Sequence, residues 1–333
     1  MTAQFLFYLL IGLLILEFIW DNILDYLNAR HFNDPIPAEL DGIFDQDEYK
    51  KSQLYKAANH RFSQWHDGFN FVLMLTFFII GGFAYLDSFV KQFSENQIVI
   101  SLAFIGILAF VGSLISLPFA YYDTFVIEEK FGFNKTTRTT FWLDQIKGAF
   151  MSVIIGGLLL WAILWFYHRV GSDFWWYAWI LFTVFTILMT LFYSNLIVPL
   201  FNKQKPLDEG ELKDAINQFA QKTGFKLDNI YVIDGSKRST KANAYFTGFG
   251  PKKRVVLYDT LIHDLNINEI VAVLAHEIGH YQKKHVFYNL IMSILLTGLT
   301  LYILGYFVSN PILSQALGVS QSEFHIGIIA FGI

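Results

Sequence analysis

"IVISLAFIGILAFVGSLISLPFA", residues 98–120, carries no ionisable side chain from end to end. Crossing the hydrocarbon core of a bilayer takes about 20 apolar residues in a helix. Only a helix or a closed barrel can cross there, because unpaired backbone amides are too costly in lipid. Blocks of the same kind occupy Phe5–Trp20, Phe69–Leu86, Gly148–Tyr167, Phe174–Leu196 and Val286–Val308, and another begins near His325. The chain of 333 residues is 54% hydrophobic and 16% charged, whereas soluble domains carry roughly 25% charged residues. The composition predicts a multi-pass, mainly helical membrane protein with the lipid bilayer as its first partner. The first block lacks a basic leader and a small-residue cleavage site, so it reads as a retained helix. A net charge of −4 with no basic domain argues against nucleic acid.

Charge asymmetry orients the helices. Of the 24 lysines and arginines, all but Lys91 and Arg169 fall in alternate connections: Asp21–Gly68, the stretch after block three, and Ile197–His285. The positive-inside tendency puts those connections in the cytoplasm. Trp175, Trp176 and Tyr177 at the start of a block read as an interfacial aromatic belt, and Pro199 ends the fifth helix. The expected organisation is residues 1–200 as helices one to five with a polar, helix-prone loop at 21–68. Residues 201–284 form a small α+β domain, and 285–333 hold helix six and the start of helix seven. Within the α+β domain, Glu209–Thr223 has helical periodicity, and Asn229–Asp234, Asn243–Gly250 and Arg254–Ile262 read as strands with a turn at Gly250-Pro251. The basic run Lys252-Lys253-Arg254 reads as a solvated turn.

A second stretch carries the chemistry. "VLAHEIGHYQ", residues 273–282, sets His276 and His280 one helical turn apart on one face, with Glu277 at its edge. Two imidazoles so spaced can hold one metal ion, and the pattern His-Glu-x-x-His is that of zinc-dependent peptidases. The chain has no cysteine, so histidine and carboxylates are its only strong metal ligands. Glu277 would act as general base toward water. Asn266 and Glu269 are a capping pair at the start of this helix, and Ile270, Val271, Leu274 and Ile278 are its packed face. Gly279 is expected to allow close backbone packing, and His285 to lie off the ligand face.

The sequence resembles the Ste24 family of integral-membrane zinc metalloproteases, the type 1 CAAX prenyl proteases of peptidase family M48. The likeness rests on "HEIGHYQKKH" together with "YDTFVIEEKFGFNKTT" (122–137), "IVPLFNKQKPLDEGEL" (197–212) and "ANAYFTGFGPKKRVVLYDTLI" (242–262). It implies seven long transmembrane helices enclosing a chamber, closed on the cytoplasmic side by a thermolysin-like zinc-peptidase domain. It implies one Zn2+ per chain on His276 and His280, with Glu277 catalytic. It implies also that Asn243, Ala244, Tyr245 and Phe246 form an edge strand that pairs with the substrate backbone. An ordinary edge strand is the alternative for those four. Glu128, Glu129 and Lys130 read as structural packing, or as a solvated helix end. The substrate would be a peptide or protein: prenylated C-termini at the endoplasmic reticulum or nuclear membrane of a eukaryote, or misfolded membrane proteins at a bacterial inner membrane.

A catalytic zinc needs a third protein ligand. Glu323 and His325 follow block six on the other side of the bilayer by the charge count, so neither fits. The chain stops at "HIGIIAFGI" inside an apolar segment, giving the expectation of a truncated piece whose third ligand lies beyond residue 333. The rival reading is a non-enzymatic pseudoprotease, a membrane scaffold or transport component. The intact motif argues against it and the missing ligand argues for it.

Overall fold

Residues 2–40, 42–43, 45–224, 229–247 and 254–332 are described by a computed structural model. The Gly250-Pro251 turn, Lys252, Lys253 and the end of the expected strand at 248–250 lie outside the described residues. In chain order the first helices are α1 (Ala3–Ala29), α2 (Gln46–Ile79), α3 (Gly82–Val90), α4 (Gln97–Tyr122), α5 (Arg138–Met151), α6 (Gly157–Val170) and α7 (Phe174–Leu196). Strand β1 (Gln204–Pro206), α8 (Glu211–Lys222), β2 (Ile230–Ile233), β3 (Ala244–Thr247) and β4 (Arg254–Tyr258) follow. Then come α9 (Asp259–Asp264), α10 (Ile267–Gln282), α11 (His285–Phe307), α12 (Pro311–Ala316) and α13 (Phe324–Phe331). Among the described residues, four helical stretches are long and apolar enough to cross a membrane, or five if the bent pair α2–α3 is one span. One of the four, Arg138–Phe201, is 64 residues long. At about 1.5 Å per residue that is roughly three bilayer cores. It breaks at Gly171, whose φ of +62° an L side chain resists.

The helices overrun the apolar blocks. The second half of the expected loop at 21–68 is helical: α2 starts at Gln46, where the Asp45 carboxylate accepts the amides of Asp47 and Glu48. Residues 69–86 do not form one straight span, since Gly81 at φ +70° turns α3 by 67° from α2. Pro118 removes one rung of the α4 ladder, and the helix then widens into a π turn at Asp123–Glu128.

Two compact units emerge. The first comprises residues 1–131, 155–175 and 302–333. Its core joins α1, α2, α3 and α4 to α12 and α13 through Leu6, Leu10, Phe78, Phe83, Phe104, Leu313 and Ile326. A set of polar groups is buried beside it. His325, fully buried, has Nδ1 3.0 Å from Ser101 Oγ and Nε2 2.9 Å from Asp87 Oδ1. Lys91 Nζ lies 2.8 Å from Asp87 Oδ2 and 2.7 Å from Glu323 Oε1. The Ser314 hydroxyl accepts the Glu323 amide at 3.1 Å. In the same unit, Glu128 accepts the Tyr55 hydroxyl.

The second unit comprises residues 132–154 and 176–301. Its sheet has the order β1-β2-β4-β3, with β2 and β4 parallel and both outer pairs antiparallel. The stretch 133–144 is laced to this domain. The Lys135 amide donates to the Arg238 carbonyl at 3.0 Å and the Thr240 amide to the Phe133 carbonyl at 3.1 Å. Arg238 grips Asp144 with two parallel bonds of 2.7 and 2.9 Å. The expected strand Arg254–Ile262 ends at Tyr258, because Asp259 opens α9 and accepts the Ser236 amide at 2.8 Å.

The polar set of the first unit yields a prediction. Asp87→Ala leaves His325 and Lys91 without their shared anion, and losing one partner of a buried pair costs about 3–5 kcal/mol. The variant in detergent should unfold several degrees below the parent, whereas Ser94→Ala should unfold with it.

Candidate metal and peptide-binding site

The motif helix α10 begins where the sequence places it. The Asn266 side chain accepts the amides of Asn268 (3.0 Å) and Glu269 (3.1 Å), and Glu269 returns a carboxylate oxygen to the Asn266 amide at 2.8 Å. This reciprocal pair is a capping box. Ile270, Leu274 and Ile278, four residues apart, are buried. Ile270 and Leu274 pack with Val255, Leu257 and Ala244 of the sheet, and Ile278 with Ala220 and Phe246. That face being committed to the core, His276 and His280 are turned out and exposed, with Glu277 half-buried beside them.

The two histidines meet. Their Nε2 atoms are 3.1 Å apart and their ring centroids 4.7 Å apart. Nitrogens held about 2.0–2.1 Å from one tetrahedral zinc would be roughly 3.3 Å apart, so the pair is preset close to the bite of a shared metal. The residues present therefore fit two positions of a zinc site. Among the described residues no group of three or more His, Asp or Glu is arranged to hold a metal. Glu323 and His325 are engaged by Lys91, Asp87 and Ser101 as described above.

One expectation needs correction. A Cβ added at Gly279 would meet no atom within 4 Å, so this glycine serves no close packing against the described residues. His285 is off the ligand face, as expected, yet it touches the motif: its Nδ1 is 2.8 Å from Nδ1 of His280. Helical extrapolation fails because α10 stops at Gln282 and Lys284 takes φ +56° before α11 starts at His285. The only hint in the sequence was the pair Lys283-Lys284 closing an apolar helix.

The four residues of the expected substrate strand lie at one edge of the sheet. Asn243 precedes β3, and Ala244, Tyr245 and Phe246 are in it. β3 pairs with β4 in the register Ala244↔Leu257, Tyr245↔Val256 and Phe246↔Val255. The Tyr258 amide donates to the Asn243 carbonyl at 3.0 Å. By alternation, Ala244 and Phe246 then direct their backbone groups to the outer side of the sheet. Asn243 Oδ1 already accepts the Ala244 amide at 2.8 Å. Tyr245 faces the other way, its hydroxyl 3.3 Å from both Ser194 Oγ and Gln204 Nε2, and burial pushes its phenol up from the usual tyrosine range. Tyr245 is thus held as a neutral hydroxyl and acts as a strut between β3 and α7.

Comparison with known proteins gives these features a family. The model described as "CAAX prenyl protease N-terminal, five membrane helices" matches residues 25–203, and that of peptidase family M48 matches 206–330. The chain belongs to the CAAX prenyl protease group of peptidase family M48. Among its relatives, CAAX prenyl protease 1 of Saccharomyces cerevisiae is 38% identical over 85% of this chain and 65% of its own length. The CAAX prenyl protease 1 homolog of Arabidopsis thaliana is 35% identical over 96% of this chain and 78% of its own. The crystal structure of Saccharomyces mikatae Ste24p superposes with a TM-score of 0.91 at 34% identity, covering all of this chain and 81% of that one. The chain thus spans about two thirds to four fifths of the length of these M48 relatives. The family assignment brings with it a mostly helical membrane protein with a small sheet and a metallopeptidase motif.

The capping box gives a test of how α10 is anchored. Asn266→Ala removes the acceptor for two amides and should cost about 1 kcal/mol. Hydrogen exchange should show the first turn of α10 losing protection while Ile278 and its neighbours keep theirs.

Proposed function

We propose that this chain carries the catalytic centre of a membrane-embedded zinc endopeptidase that trims the C-terminus of prenylated proteins. The observation that carries the reading is the paired presentation of His276 and His280 Nε2 on α10 in a chain of family M48. His276 and His280 would hold Zn2+ and Glu277 would be the general base. Bound there, zinc supplies a Lewis acid for the scissile carbonyl and acidifies water to a pKa of about 7. The Glu277 carboxylate takes the proton of the attacking water as its oxygen bonds to the carbonyl carbon. It then delivers that proton to the amine nitrogen as the C–N bond breaks, leaving a carboxylate and a free amine. The outer side of β3, from Asn243 to Phe246, would align the peptide by strand addition. Backbone pairing of this kind tolerates many side chains.

The finer architecture belongs to the same reading. It comprises seven spanning helices around a chamber, the zinc domain of residues 201–284 on the cytoplasmic side, and a home in the endoplasmic reticulum or nuclear membrane. The lysine and arginine distribution supports that orientation. The names of the relatives support the prenylated substrate class, and membrane-protein clearance in a bacterium is the alternative. A scaffold without catalysis is the rival from another class, favoured by the lack of a third ligand among the described residues.

The test is zinc content and cleavage of a farnesylated CAAX peptide by the purified protein, beside Glu277→Gln. The parent should hold one zinc and cleave. The variant should keep its zinc and lose about 10²–10⁴-fold in rate, the usual contribution of a general base. Zinc with no cleavage of prenylated peptides discards the substrate class. A parent without zinc leaves the scaffold reading standing.

A further inference from the structure

The imidazole of His285 has no part in the motif, yet it sits against a motif residue. Its Nδ1 lies 2.8 Å from Nδ1 of His280, with the two rings edge to face at 4.9 Å between centroids. The same His280 ring presents Nε2 to His276 at 3.1 Å. His280 is therefore engaged on both nitrogens, one by each histidine, on opposite edges of its ring. A metal seated between the Nε2 atoms of His276 and His280 is on the far side of that ring from His285. This excludes His285 as a ligand of the same ion.

Hydrogen-bond chemistry fixes what is left. Two nitrogens at 2.8 Å share one proton. If His285 donated it, His280 would carry its own proton on Nε2 and have no lone pair for a metal. If His280 donates it, Nε2 is bare and aimed at His276. The backbone supports a built contact: Lys284 is the non-glycine residue with positive φ among the described residues, at +56°. A left-handed conformation costs about 1–2 kcal/mol for an L residue. It closes the step from α10 to α11 within two residues, and the first residue of α11 is His285.

We propose that His285 is a positioning residue of the metal site, accepting the Nδ1–H of His280 on its own Nδ1 and so holding His280 with Nε2 open to the metal. The inference rests on the zinc reading above and deepens it. Metal-bound histidines usually donate their second N–H to a carboxylate, a carbonyl or water. Here a third imidazole takes that place, supplied by the helix that follows the motif.

Zinc affinity, measured by chelator competition on the intact protein in detergent, tests this without reference to turnover. His285→Phe keeps a ring and removes the acceptor, and His285→Asn returns an oxygen near the Nδ1 position. Loss of such a partner typically weakens metal binding 10–100-fold, so His285→Phe should lie in that range and His285→Asn within about threefold of the parent. His285 is exposed, so the metal-free variants should melt with the metal-free parent. Equal zinc affinity for His285→Phe and the parent overturns the proposal. So does a His285→Asn variant as weak as His285→Phe, which would mean that the ring merely packs. His276→Ala separates the two readings. If it weakens zinc while His285→Phe does not, the metal site stands and the role of His285 falls. If the parent itself holds no zinc, both fall.

Discussion

Burial of Ile270, Leu274 and Ile278 against the sheet sets the rotation of α10, and the site depends on that setting. A helix packed on a sheet has one angular degree of freedom, rotation about its own axis, and committing its apolar stripe removes it. Residues at offsets of four share a side, so fixing the stripe fixes the opposite side. His276 and His280, one turn apart on that opposite side, are thereby presented together, 3.1 Å between nitrogens. Neighbouring β3 is seated by the same cluster through Ala244, so ligand pair and edge strand share one support.

The membrane helices solve a different problem. Where long apolar segments meet lipid, charge has to be gathered inward or kept at the ends. The first unit gathers it: Asp87, Lys91, Glu323 and His325 satisfy one another, with Ser101 and Ser314 completing the set. The carboxylate and imidazole nearest the C-terminus of this chain, Glu323 and His325, serve that cluster. Their use there removes them from any role at the histidine pair.

Much of the fold was legible because its signals are local. The Asn266–Glu269 pair and the four-residue spacing of α10 act within a turn and appear where expected, and the apolar blocks mark helices, although the helices overrun them and Gly81 bends the one at 69–86. Failures fall where the cause is remote. β1 consists of Gln204, Lys205 and Pro206, which have no strand propensity; they pair because β2 offers an edge, and proline is tolerated only there. The run Val255–Ile262 is apolar except for Asp259 and Thr260 and has neither a strand nor a helix period, so its change from strand to helix at Asp259 has no periodic mark. At the site, the helix-borne histidines were visible in the motif, whereas His285 depends on one left-handed residue, Lys284.

The grip of Arg238 on Asp144 spans 94 residues of chain. Ribosomes add about 5–20 residues per second, so α5 emerges roughly 5–20 seconds before the arginine that fastens it. The apolar α7 lies between the two partners and is also made first. The sheet is therefore fastened to a helix made well before it, while the motif helix α10 and the apolar α11 are made only afterwards.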